Sequence, residues 1–114
     1  MWPAGEVRIY LACGVTDMRA GFHSLAARVQ TVLQHDPYGG AIFVFRGRKG
    51  DSIKCLYYDR QGMCLYAKKL DRGRFVWPQA RDGVVSLTMA QFSMLAEAID
   101  WRNTAWTVRP EVVV

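Results

Sequence analysis

Hydrophobic and polar positions in this chain fall into several short runs with a period near two and two stretches, one of them long, with a period near 3.6. Val7 to Cys13 is rich in β-branched and aromatic residues and predicts a first strand. Gly14 punctuates it, and Thr16 or Asp17 then offers an oxygen for a helix N-cap. Met18, Phe22, Leu25, Ala26, Val29, Val32 and Leu33 fall on one helical stripe, so a helix is expected from about Asp17 to Gln34. Gly21 inside it costs about 1 kcal/mol relative to Ala, which points to a close packing contact there. The turn cluster Asp36-Pro37-Tyr38-Gly39-Gly40 ends the helix.

Short strands follow: Ala41 to Arg46, Ser52 to Tyr58, Met63 to Leu70 and Arg74 to Trp77. They are joined by the turns Gly47-Arg48-Lys49-Gly50, Asp59-Arg60-Gln61-Gly62 and Asp71-Arg72-Gly73, all of hairpin length. The alternation puts Lys54, Leu56 and Tyr58 on one face of their strand, and Cys64, Tyr66, Lys68 and Leu70 on one face of the next. Val84 to Leu87 reads as a last strand. Thr88-Met89-Ala90-Gln91 fits a capping box and opens a second helix that runs to about Trp101. Val112-Val113-Val114 is free to pair as an edge strand, dock on a partner or fray. The expectation is an α+β fold, an antiparallel β-meander of about four to six strands with two helices packed on it. Both sheet faces are fairly apolar, so helices are expected to cover part of each.

At 114 residues, 51% apolar and 22% charged, the chain has the size and balance of one soluble globular domain over residues 1–114. No apolar run approaches the roughly 20 residues of a membrane-spanning helix. The opening Met1-Trp2-Pro3-Ala4-Gly5-Glu6 lacks the apolar stretch of a secretory signal. Cys13, Cys55 and Cys64 are odd in number and share no C-x-x-C spacing, so no disulfide framework is expected and a reducing cytoplasm is the expected location.

Charge changes the picture most. The net charge is +5, but Arg46 to Arg81 holds ten basic residues against three aspartates, a local +7, and the remainder carries −2. Arg and Lys clustered in this way release counterions from a nucleic-acid backbone, although Lys on an edge strand also serves solubility. Gly47-Arg48-Lys49-Gly50 resembles a phosphate-approaching turn, yet it lacks the G-x-x-x-x-G-K-[ST] pattern and following helix of a P-loop. Tyr57, Tyr58, Tyr66, Phe75 and Trp77 interleave with the basic residues, either to stack on bases or to pack across strands.

Catalytic chemistry has little to stand on. His23 and His35 are too far apart to ligate one metal from adjacent helical turns, and neither has a nucleophile at a recognisable spacing. Asp17, Asp36, Asp51, Asp59 and Asp71 read as caps and turn formers. A two-metal nuclease would need carboxylates converging about two ions spaced about 4 Å apart, which nothing in the sequence requires. The cysteines sit in apolar strand contexts and read as small core residues. No metal or cofactor is expected.

Several longer motifs carry a resemblance. They are Gly14-Val15-Thr16-Asp17-Met18-Arg19-Ala20-Gly21-Phe22, Phe43-Val44-Phe45-Arg46-Gly47-Arg48-Lys49-Gly50-Asp51, Leu65-Tyr66-Ala67-Lys68-Lys69-Leu70, Gly73-Arg74-Phe75-Val76-Trp77-Pro78, Leu87-Thr88 and Ile99-Asp100-Trp101-Arg102. Together they resemble the small accessory protein encoded by the second reading frame of the insertion-sequence-66 family, the TnpB type, which is unrelated to the RNA-guided nuclease sharing that label. The resemblance covers about residues 7–102 and leaves the tail, 103–114, outside. It implies a mobile-element protein that works beside a separate, larger transposase, and it supplies no catalytic residue.

The expected function is therefore that of a non-enzymatic accessory protein of insertion-sequence transposition. It would bind DNA at element ends through a basic sheet surface formed by Arg46, Arg48, Lys49, Lys54, Lys68, Lys69, Arg72 and Arg74, and would assist the transposase of its element. The alternative is a protein–protein adaptor for the transposase without direct DNA binding. Self-association is left open, and no membrane partner is expected.

Overall fold

The structure is a computed structural model, and it describes residues 6–101 and 111–112. In chain order the elements are β1 (Ile9–Val15), α1 (Phe22–Thr31), β2 (Ile42–Arg46), β3 (Ser52–Tyr58), β4 (Met63–Lys69), β5 (Val84–Leu87), α2 (Met89–Ala96) and β6 (Glu111–Val112). They build one six-stranded sheet in the order β4-β3-β2-β1-β5-β6, an α+β fold. β2, β3 and β4 form the expected antiparallel meander. β1 and β2 run parallel, because α1 intervenes and returns the chain to the same end of the sheet. β5 then pairs antiparallel with the other side of β1.

Alternation along the strands makes two cores. Ile9, Leu11 and Cys13 of β1 face one side with Ile42, Val44, Ile53 and Cys55, where Phe92 and Leu95 of α2 cover them. Tyr10 and Ala12 face the other side with Phe43, Phe45 and Leu56, under Leu25 and Val29 of α1. Each helix hides one face, which explains the double-sided apolar pattern of the strands.

Several expectations change in detail. The first helix starts at Phe22 with Gly21 as its N-cap, rather than near Asp17. The Asp17 carboxylate accepts from the Arg19 backbone N–H at 2.9 Å, and the Ala20 N–H donates to the Asp17 carbonyl at 3.0 Å, so the residues before the helix close a turn. Gly21 has no close neighbour; the tight approach lies at Gly47, where an added Cβ would stand 2.8 Å from Met18 Cγ. At the other end the helix stops at Thr31, because Gln34 adopts φ 56° and lets the His35 N–H reach back to the Val29 carbonyl at 3.0 Å.

A further change is that Arg74 to Trp77 is no strand. Its backbone polar groups are taken up individually: the Phe75 N–H donates to the Gly50 carbonyl at 3.0 Å, and the Val76 carbonyl accepts from the Trp101 indole at 2.9 Å. The second helix has its expected capping box, with Gln91 N–H to Thr88 Oγ1 at 3.1 Å and Thr88 N–H to Gln91 Oε1 at 2.8 Å. It ends at Ala96, short of Trp101. Of the tail, Glu111 and Val112 pair with Ser86 and Val85 as an edge strand; Met1 to Gly5, Arg102 to Pro110, Val113 and Val114 lie outside the described residues. Among the described residues, no helix is long and apolar enough to cross a membrane.

Candidate nucleic-acid interface

Strand direction decides where the basic residues gather. The C-terminal ends of β1, β2 and β4 and the N-terminal ends of β3 and β5 lie at the same end of the sheet. The register proves it: Val15 pairs with Arg46, Arg46 with Ile53, Ile53 with Lys68, Ser52 with Lys69, and Ala12 with Val84. Arg46, Lys68 and Lys69 therefore sit at one rim. Arg48 and Lys49 occupy the hairpin tip beyond β2, and Arg72 and Arg74 the loop beyond β4. A single charged end results, with the sheet faces themselves occupied by the two cores.

The tip is held tightly. The Gly47 N–H donates to the Ser52 carbonyl at 3.1 Å and the Gly50 N–H to the Gly47 carbonyl at 3.2 Å. The Gly50 carbonyl accepts both the Phe75 N–H and the Trp77 indole N–H, each at 3.0 Å, while the Leu70 N–H donates to the Asp51 carbonyl at 2.9 Å. Gly50 itself has φ +77°, and an added Cβ would lie 3.3 Å from Trp77 Nε1 and 3.5 Å from Arg74 Cδ. The loop beyond β4 is thus stitched onto the β2–β3 hairpin, which fixes Arg74 beside the tip.

The expected site residues divide by face. Arg46 places its guanidinium 5.1 Å from the centre of the Trp77 ring, a cation–π contact on the α2 side. Lys68 donates to the Ala96 carbonyl at 2.8 Å and so caps the C-terminal end of α2. Lys54 faces the other way and donates to the Ala20 carbonyl just before α1 at 2.9 Å. These two lysines tie helices to the sheet. Arg48, Lys49, Lys69, Arg72 and Arg74 are exposed.

On the α1 side the tip faces the β1–α1 loop across a cleft of about 470 Å³. Thr16 to Arg19 form one wall, Gly47 to Lys49 with Asp51 and Ser52 the other, and Lys69 contributes from β4. The Thr16 N–H donates to the Arg46 carbonyl at 2.9 Å and anchors the first wall to β2. Arg19 and Thr16 lie outside the set of DNA-binding residues expected from the sequence. Arg19 is hidden by its distance in sequence from the basic middle, although its place two residues after Asp17 is the signature of the turn they form. Its guanidinium reaches Asp17 Oδ2 at 2.8 Å, and this hydrogen bond holds the Asp17 carboxyl down at about 2. Among pairs of described residues, this is the one ion pair within 4.0 Å, so no described carboxylate is in salt-bridge contact with the remaining cations of the rim.

Other candidate chemistry disperses. Among the described residues no three His, Cys, Asp or Glu side chains converge as a metal site would require. His35 stacks on Tyr10 with ring centres 4.3 Å apart. Burial pushes the Cys55 thiol up to about 12 and raises that of Cys13, so both stay protonated and inert. Asp59 caps its turn by accepting from the Gln61 and Gly62 N–H groups, each at 2.9 Å.

Fold and charge together define a small open-sheet α+β protein with one cationic end. The chain belongs to the IS66 Orf2-like family, whose model matches residues 7–106. That family ties it to the transposition of insertion sequences in an accessory role. It is similar to two proteins of Sinorhizobium fredii: uncharacterized protein y4hO, 53% identical over 99% of both chains, and uncharacterized protein y4jC, 39% identical over 87% of this chain and 85% of that one. No solved structure matches.

Proposed function

We propose that the chain is a non-enzymatic accessory factor that holds the DNA of its insertion sequence by backbone phosphates at the cationic end of the sheet, beside a separate transposase. The observation that carries this is the gathering of Arg46, Arg48, Lys49, Lys69, Arg72 and Arg74 at one rim with no carboxylate paired to them among the described residues. Phosphate contacts position a protein without reading sequence, so intrinsic sequence preference is expected to be weak. Lys54 and Lys68, engaged with Ala20 and Ala96, contribute to the fold and to the local potential more than to contacts. Titration with duplex DNA at several salt concentrations is the test. A steep linear fall of log affinity with log salt is expected. A flat dependence, or no binding in about 50 mM salt, would leave the adaptor role as the better account.

A further inference from the structure

We infer that the cleft between the β1–α1 loop and the β2–β3 tip takes the terminal phosphate of a DNA strand, in contrast to the internal phosphates met by the open rim. The inference rests on the DNA-binding reading above and assigns it a specific end group.

Charge supports it first. Arg48, Lys49 and Lys69 line the cleft with Asp51, while Arg19 and Asp17 are paired with each other at 2.8 Å. That leaves a surplus of two positive charges. A phosphomonoester carries about −1.5 to −2 near neutral pH, whereas each internal phosphate carries one. Shape supports it second. A half-open cleft of about 470 Å³ between two loops suits a group that inserts, and its volume falls in the range of small-ligand sites. The wall is also rigid: Thr16 lines the cleft at 3% exposure, and its backbone N–H is fixed on the Arg46 carbonyl at 2.9 Å, so this side is held in place for whatever enters.

The experiment compares the affinity of the full chain for one short DNA duplex whose strands end in 5′-phosphates, in 3′-phosphates or in hydroxyls at both ends, with a nucleoside monophosphate alongside. A phosphorylated end is expected to bind about tenfold more tightly than the hydroxyl form, the size of one hydrogen bond between charged groups. Arg48→Ala combined with Lys69→Ala should abolish that difference. Arg72→Ala, an exposed cation outside the cleft, should weaken all forms equally and keep it. Equal affinity for the three duplexes overturns the inference and leaves general DNA binding standing. A monophosphate that binds as tightly as the phosphorylated duplex also overturns it, assigning the cleft to a free nucleotide. Absence of binding to any duplex removes both this inference and the reading on which it rests.

Discussion

At the scale of single residues, Gly50 carries the most structure for its size. Its positive φ, its doubly used carbonyl and the proximity of Trp77 and Arg74 make any side chain there strained. Left-handed backbone in a non-glycine residue costs about 1–3 kcal/mol, so Gly50→Ala should lower the unfolding free energy by that amount. Denaturant melts of the two proteins measure it, and unchanged stability would show that the loop beyond β4 tolerates displacement. Asp17 makes a second residue-scale case. Its carboxyl falls from an ordinary 3.8 to about 2 because Arg19 donates to it. A carboxylate depressed in the folded state stabilises the fold above its ordinary value, and that contribution disappears as pH falls from about 4 toward 2. Carboxyl carbon NMR should find Asp17 titrating near the bottom of that window, and Arg19→Ala should return it toward 3.8. A midpoint near 3.8 in the unsubstituted protein would deny the pairing.

At the scale of elements, local hydrogen bonding makes some features legible in the sequence and tertiary contacts hide others. The start of α2 can be read because the Thr88–Gln91 exchange involves residues three apart and depends on nothing else. Thr88→Ala should cost about 1 kcal/mol, and the readout is a fall in Tm of roughly 4 °C or more. The start of α1 is misplaced by its pattern because Asp17 uses its cap-forming oxygen to close a turn one step earlier. Arg74 to Trp77 alternates like a strand, but its alternation records separate anchors on Gly50 and Trp101 that no neighbouring sequence reveals. The strands β2, β3 and β4 are legible to within a residue or so, since period-two patterning and glycine-bearing turns are local signals. Lysines pose the opposite problem. Lys54 and Lys68 look alike in sequence, yet strand alternation sends them to opposite sheet faces, where Lys54 meets the Ala20 carbonyl just before α1 and Lys68 the Ala96 carbonyl at the end of α2.

At the scale of the whole molecule, the charged segment becomes an end rather than a face. The two cores need both sheet surfaces, so exposed charge can collect only where strands and loops run out. This separates the cations by task, and the separation is measurable. Removing Arg48, Lys49 and Lys69 together should reduce the slope of log affinity for duplex DNA against log salt by about 0.9 for each phosphate no longer neutralised. Their exposure means the fold should remain intact, with Tm changed little. Lys54→Met should act in reverse, lowering Tm because the Ala20 carbonyl is deprived of its donor, while the salt slope stays near that of the unsubstituted protein. The adaptor role predicts another pattern, in which the triple variant still binds transposase and neither variant shows a salt slope to alter. If Lys54→Met flattened the slope as much as the triple change, the cationic end would have to extend around the α1 side of the sheet, and DNA would lie along the helix instead of across the rim.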